Sequence, residues 1–351
     1  MVVIRIGIIG AGATVAIADA QWRAFGRRAL CRYSRLQPYP GERAAAGRSP
    51  RAERAGVVCG SADAVYDRAD AVVVCTPNDT HLSYLGAAAE RGKAVLLEKP
   101  LGLEFAAPGQ EERLLTRCEG KPVMVGYVCR HSALMRRVRA LVKERMGRVY
   151  CFEAEHGGAR LADPRLPLEW RMRQEASGSG ALGDWAAICW IWPVLPPGCT
   201  WCAPGFGATF LRERPADGAG RTQVENDDAF CSAARGEGRG VQLFHQPGGN
   251  GRRAPENQRR GGLIRAHLNS GKLWFWPKRR GQGLAPQEQA VREDYAADGP
   301  AQWFSQQASA VLDLIEGRPG EGCCTLAQAV RTERTLLSCS AGRGGKPLAH
   351  G

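Results

Sequence analysis

The chain opens on Val2-Val-Ile-Arg-Ile-Gly-Ile-Ile-Gly10, an almost unbroken run dominated by β-branched residues. A half-exposed strand alternates apolar and polar positions; this run does not, so it predicts a parallel strand covered on both faces. It passes directly into Gly10-Ala-Gly12-Ala13-Thr-Val15. In such a strand-to-helix turn the first glycine bends the chain and the second lets backbone approach a pyrophosphate. The following helix N-terminus then offers amide hydrogens to the same group. Gly10, Gly12 and Ala13 are therefore cofactor-binding candidates. Val15 stands where a third small residue usually packs helix on strand, which loosens that contact.

A fold of this type calls for a second strand ending near an acidic residue that holds a ribose. Residues 22 to 55 offer neither a clean apolar run nor an acidic terminus, so NAD and NADP are not distinguished. Order returns at Ala69-Asp-Ala-Val-Val-Val-Cys-Thr76-Pro77, which reads as a buried strand and its turn. A helix is predicted from Asn78 through Glu90, closed by Gly92. The next strand is Lys93-Ala-Val-Leu-Leu-Glu98 and the last of this sheet is Val123-Met-Val-Gly126-Tyr127. Ala133 to Arg145 has helical spacing. Val149 to Glu155, Gly262 to Leu268 and Lys272 to Trp276 read as strands, and Trp303 to Glu316 and Leu326 to Leu337 as amphipathic helices. The expected architecture is α/β: a Rossmann dinucleotide-binding domain over 1–125, then an α+β substrate and oligomerisation domain over 126–351 with an open, largely antiparallel sheet.

Size and composition narrow the class. With 351 residues, two cores can be buried. No apolar stretch approaches the roughly 20 residues needed to span a bilayer, and the N-terminus lacks a signal-peptide layout, so a cytoplasmic, membrane-free protein is expected. The 13 cysteines are mostly scattered; Cys199 and Cys202 have Cys-x-x-Cys spacing but no second pair, so free thiols and no metal site are expected. The net charge of +13 raises the question of a nucleic-acid partner. Its excess falls largely in irregular Arg-rich stretches, Arg23 to Arg54 and Pro247 to Arg260, without a nucleic-acid-binding module. A solvated basic surface is the better reading.

Four elements in fixed order carry a more specific resemblance: strand-Gly10-x-Gly12, Cys75-Thr76-Pro77-Asn78-x-x-His81, Glu98-Lys99-Pro100-Leu101, and Gly126-Tyr127-x-x-Arg130. Together they resemble the Gfo/Idh/MocA oxidoreductases, which include glucose-fructose oxidoreductase and inositol dehydrogenase. The likeness is good over residues 1 to 20, 57 to 104 and 122 to 184. It implies a dehydrogenase using NAD or NADP on a secondary hydroxyl of a sugar, cyclitol or related polyol, and a homo-oligomer. By resemblance Lys99 lies near nicotinamide and substrate hydroxyl, where a cation stabilises a developing alkoxide. Thr76, Pro77, Asn78, His81 and Glu98 line the cofactor site, joined by Trp170 and Arg171. Tyr127, Arg130 and Asp184 face substrate, and Asp184 and Lys99 are the catalytic candidates.

The family pattern continues with a histidine four residues after the aspartate, on the same helix face. Here that position is Ile188, which cannot accept a proton. Trp185 to Val194 also carries three tryptophans and no polar face. Read one nucleotide earlier, the same codons permit Leu-Gly-Ser-His, then Met or Leu, then Leu-Asp-Leu-Ala-Arg, with serine and histidine each one of four residues the code allows. A nucleotide lost after the Asp184 codon, with the frame regained before Gln223, accounts for the anomaly. Genuine divergence to a catalytically impaired dinucleotide-binding protein or sensor is the alternative.

Overall fold

The computed structural model describes residues 4–10, 30–33, 56–146, 163–181, 183, 205–216, 220–232, 261–279, 283–284, 289–320 and 322–340. Its centre is one parallel sheet. Strands β1 (Ile6–Ile9), β2 (Leu30–Tyr33), β3 (Gly56–Val58), β4 (Ala71–Val74), β5 (Ala94–Glu98) and β6 (Val123–Gly126) lie in the order β3-β2-β1-β4-β5-β6. Ile6 of β1 stands beside Leu30 on one side and Ala71 on the other. The strand order reverses between β1 and β4, which opens a crevice beyond their carboxyl ends, where sheets of this kind bind ligands.

Every residue of β1, β4 and β6 is buried, as their unbroken apolar pattern requires. β2 falls inside the stretch where the sequence offers no strand. Its four residues, Leu-Cys-Arg-Tyr, form no recognisable apolar run; parallel pairing to β1 and β3 supplies what the pattern does not.

Helices cover both faces. α1 (Ala62–Arg68) starts at Ser61, whose hydroxyl accepts from the Ala64 amide at 3.2 Å. α2 (His81–Glu90) follows a single 3-10 turn over Asn78–Thr80 and stops at Arg91 and Gly92, where Gly92 has φ +67°. α3 (Gln110–Arg117) packs beside it. On this face Val72, Val74, Val95 and Leu97 meet Leu85 and Ala88. The other face presents Ile6, Ile8, Val73, Leu96 and Met124.

The remaining chain forms the antiparallel part. α4 (Ala133–Leu141) is capped by Ser132, and α5 (Gln174–Ser177) is a single turn. β7 (Gly205–Ala208) pairs with a later strand across β8 (Glu213–Pro215) and β9 (Arg221–Gln223); that partner is β10 (Ala229–Ser232). β11 (Gly262–His267), β12 (Lys272–Arg279), β13 (Gly283–Leu284) and β14 (Val291–Asp294) make an antiparallel sheet centred on β12. β11 alternates half-buried and exposed positions, and its covered face, with Leu273 and Phe275, packs on Leu134, Val138 and Leu141 of α4. The segment 149–155, expected as a strand, lies outside the described residues.

The last two helices return to the parallel sheet. α6 (Pro300–Ile315) lays Ala308, Val311 and Leu312 on Ile6, Ile8 and Leu96, while α7 (Leu326–Ser340) adds Ala329 and Val330 to the opposite face. Burying one such Val, Leu or Ile stabilises by about 1.5–3 kcal/mol, so the chain's end is integral to the core of its beginning. Among the described residues no helix is long and apolar enough to cross a membrane, and no cluster of His, Cys, Asp and Glu could hold a metal ion. Cys59, Cys75, Cys118, Cys129, Cys323 and Cys324 are buried free thiols.

Candidate active site

The carboxyl ends of β1, β4, β5 and β6 deliver Gly10, Thr76, Glu98 and Tyr127 to one side of the sheet. Gly10 has φ +137°, and a Cβ there would stand 2.5 Å from the Cys75 carbonyl oxygen. No other residue type fits that turn, because β1 and the end of β4 run too close together. The Thr76 hydroxyl is buried and has no hydrogen-bond partner. A buried donor left open at a crevice mouth is what an incoming polar ligand satisfies.

Glu98 is the last residue of β5, and its carboxyl lies against β6, 3.0 Å from where a Cβ on Gly126 would stand. Burial pushes its pKa up to about 7, against the pull of Lys99 and Arg171. The same charge, added to complete burial, holds the Cys75 thiol well above its ordinary value. Arg171 stacks on the Trp170 ring, with its guanidinium carbon 4.5 Å from the ring centre. The Trp170-Arg171 pair is thereby drawn to the Glu98 side of the crevice.

Two other predicted residues are held by backbone. Asn78 is buried, and its amide donates to the Ser177 carbonyl at 3.0 Å. His81 is also buried, with Nδ1 2.7 Å from the Pro100 carbonyl oxygen and Nε2 2.9 Å from that of Thr76. It bridges the exits of β4 and β5, and burial holds its pKa below the ordinary value although both carbonyls pull upward. A neutral imidazole can donate to only one of the two. His81 thus ties two strand exits together, and Asn78 ties the exit of β4 to the turn at Ser177.

Tyr127 is buried, and burial, with Glu333 adding to it, holds its phenol well above the usual range. Arg130 turns toward the C-terminal segment, donating from Nη2 to Gln328 at 3.0 Å and to the Cys323 carbonyl at 3.4 Å. Gly12, Ala13, Asp184 and Ile188 lie outside the described residues. The approach to Asp184 is described: Asn226 donates to the Ser177 hydroxyl at 2.6 Å and to the Arg171 carbonyl at 2.8 Å. The Gly180 amide donates to an Asp227 carboxylate oxygen at 3.2 Å, and a Cβ on Gly180 would stand 1.7 Å from the Asp227 carbonyl oxygen.

Residues 4–127 match the model of an oxidoreductase family with an NAD-binding Rossmann fold, Gfo/Idh/MocA. Over these residues the chain is similar to the Gfo/Idh/MocA oxidoreductases. Among curated Gfo/Idh/MocA relatives the chain is 30% identical over 171 residues to levoglucosan dehydrogenase of Pseudarthrobacter phenanthrenivorans, a match over 48% of this chain and 41% of that protein. It is 32% identical over 169 residues to inositol 2-dehydrogenase of Acidiphilium cryptum, over 48% of each. The matched region thus spans less than half the length of these relatives. The fold extends further: an oxidoreductase domain protein from Kribbella flavida superposes with a TM-score of 0.72 over 97% of both chains at 23% identity. Levoglucosan dehydrogenase in complex with NADH and levoglucosan superposes at 0.68, over 97% of this chain and 96% of that one at 17% identity. The matched family model is that of an NAD-binding domain, and the open Thr76 hydroxyl and constrained Gly10 turn fit such a group.

Two site elements escaped the sequence reading. Asn226 and Asp227 stand in a short polar run whose role depends on β10 reaching the 177–181 turn. Glu333 was visible in principle, because Leu326, Ala329, Val330 and Leu336 form a helical stripe and position 333 lies on it.

Proposed function

We propose that this chain oxidises a secondary hydroxyl of a sugar, cyclitol or related polyol with NAD or NADP. The observation that supports the reading most is Lys99, which directly follows the end of β5 and adjoins Glu98, a carboxyl that burial pushes up to about 7. Bound nicotinamide supplies the hydride acceptor. Gly10, Thr76, Pro77 and the Trp170-Arg171 stack hold the dinucleotide, with Gly12 and Ala13 completing the turn. Asn78 and His81 fix the chain that carries them.

Lys99 orients the alcohol and stabilises negative charge growing on its oxygen, which is worth more in a water-excluded site than in bulk solvent. Glu98 titrates where it can hold or release a proton at working pH. Asp184, Tyr127 and Arg130 bound the substrate side. The names of the curated relatives, which include levoglucosan dehydrogenase, a D-xylose 1-dehydrogenase and inositol 2-dehydrogenase, support this substrate class. They lend nothing to a silent sensor, which rests on Ile188 alone. The reading includes a homo-oligomer working in the cytoplasm.

The test is NAD+ and NADP+ reduction, followed by nicotinamide absorbance, over a panel holding levoglucosan, D-xylose and myo-inositol. Turnover of any member supports the reading. Dinucleotide binding without turnover on any polyol, in a chain carrying histidine at position 188, overturns it.

A further inference from the structure

Glu333 sits on α7 among Leu326, Ala329, Val330 and Leu336, and only 6% of it is exposed. A leucine there would complete the stripe at no polar cost. Burying a carboxyl instead is expensive unless its oxygens are used. One oxygen, Oε1, accepts from the Leu101 amide at 2.9 Å, across 232 residues of chain. Leu101 directly follows Lys99 and Pro100, so the last helix grips the turn that carries the active-site lysine. The same segment is tied down nearby: the Val125 amide donates to the Cys324 carbonyl at 2.9 Å, and Met124 bridges to Thr325.

We propose that Glu333 is a positioning residue of the active site, holding the Lys99-Pro100-Leu101 turn through backbone and setting by its own charge the field in which Lys99 works. Among the described residues the groups that act on it are these. Lys99 meets it from the exit of β5 and Tyr127 from the exit of β6; Arg130 and Cys324 act on Tyr127 in turn. Glu98 shares the Lys99 cation from the other side, with Arg171 and Cys75 around it. Two carboxyls therefore share one lysine, and with both ionised the trio carries a net negative charge.

Burial pushes Glu333 up to about 7, with Leu101, Lys99 and Tyr127 opposing the rise. It therefore changes charge in a pH range well above that of an ordinary carboxyl. Ionised, it strengthens its bond to the Leu101 amide and adds attraction for the ammonium; protonated, it releases both. The inference rests on the reading of Lys99 as the residue that faces the substrate hydroxyl.

The experiment is unfolding of the full chain, free of ligand, between pH 5 and pH 9, for wild type, Glu333→Gln and Glu333→Ala. A folded pKa above the ordinary 4.5 means the folded state binds more protons between the two values, so wild-type stability falls as pH rises from 4.5 through about 7. Glu333→Gln keeps an acceptor for the Leu101 amide and never ionises. It is expected to fold and to lose the Glu333 part of that fall, leaving the Glu98 part. Glu333→Ala is expected to melt lower at every pH. Repeated in a Lys99→Met background, the difference between wild type and Glu333→Gln should move up by about 1 pH unit, the usual effect of removing an adjacent opposite charge.

A Glu333→Gln curve parallel to wild type, a difference that Lys99→Met leaves in place, or a Glu333→Gln chain that does not fold each overturns the proposal. No arm uses substrate or dinucleotide, so such a failure leaves the polyol reading to its own assay.

Discussion

The Asn78 side-chain amide donates to the Ser177 carbonyl at 3.0 Å, joining the exit of β4 to the turn that leads toward Asp184. Both residues are buried, so water cannot replace the bond. Asn78→Ala leaves the Ser177 carbonyl unpaired and should cost about 1–3 kcal/mol. Asn78→Asp should cost more, because a carboxylate then faces a carbonyl oxygen. Urea midpoints measure both, and wild-type stability in either variant refutes the bolt.

At the Gly10 turn even a methyl group is excluded. Gly10→Ala must both adopt φ +137° and displace the Cys75 carbonyl, so it should destabilise by at least about 1 kcal/mol and abolish tight dinucleotide binding. Gly12→Val should instead leave the fold intact and weaken NAD(P)H binding at least roughly tenfold, which is about 1.4 kcal/mol. Cofactor fluorescence titrations separate the two. Unchanged binding in a folded Gly12→Val chain refutes its role at the pyrophosphate.

Lys99→Ala should reduce turnover by roughly 10²–10³-fold while NADH affinity stays nearly unchanged, because its charge is used as the alkoxide forms. Steady-state kinetics beside an NADH titration measures the split. Wild-type turnover on the true substrate removes Lys99 from the mechanism.

His131 shapes the acid limb of stability. It is 4% exposed, and burial, aided by Arg130 and Arg136, lowers its pKa from 6.5 to about 4. The unfolded chain therefore binds a proton that the folded chain refuses between those values. Stability from this group is complete above pH 6.5 and declines as pH falls toward 4, by on the order of 3 kcal/mol. Its sign opposes that of Glu98 and Glu333. His131→Asn should flatten this limb in acid unfolding curves, and an unaltered limb means that another group governs it.

Ile188 is expected to limit turnover, because isoleucine cannot accept a proton. A chain with isoleucine there should bind dinucleotide and oxidise polyols poorly. Inserting one nucleotide after the Asp184 codon, with the frame restored before residue 223, should return a histidine and raise the rate by roughly 10²–10⁴-fold. Robust dehydrogenation by the unrepaired chain speaks against the lost nucleotide, as does a resequenced gene that confirms Trp185 to Val194.

Much of the parallel sheet was legible because strands buried on both faces must be written as continuous apolar runs. β1, β4, β5 and β6 all are. β2 was not, since Leu30-Cys-Arg-Tyr33 owes its place to neighbours rather than to its own pattern. The Glu98-Lys99-Pro100 exit was visible as a motif of fixed spacing, and β5 carries it to the crevice. His81 and Asn78 were also named from the sequence, and what the structure adds is the backbone carbonyls their side chains meet around that crevice.

What the sequence determined by itself was local: which segments are buried strands, where they turn, and which residue types stand at the turns. What only the tertiary structure decided was contact between distant segments. Leu101 and Glu333 are 232 positions apart, and nothing near either residue announces the other. A strand or a turn is specified by neighbours a few residues away. A buried carboxyl is specified by whichever backbone amide the packing of α7 against the sheet happens to bring to it, and that depends on the whole core at once.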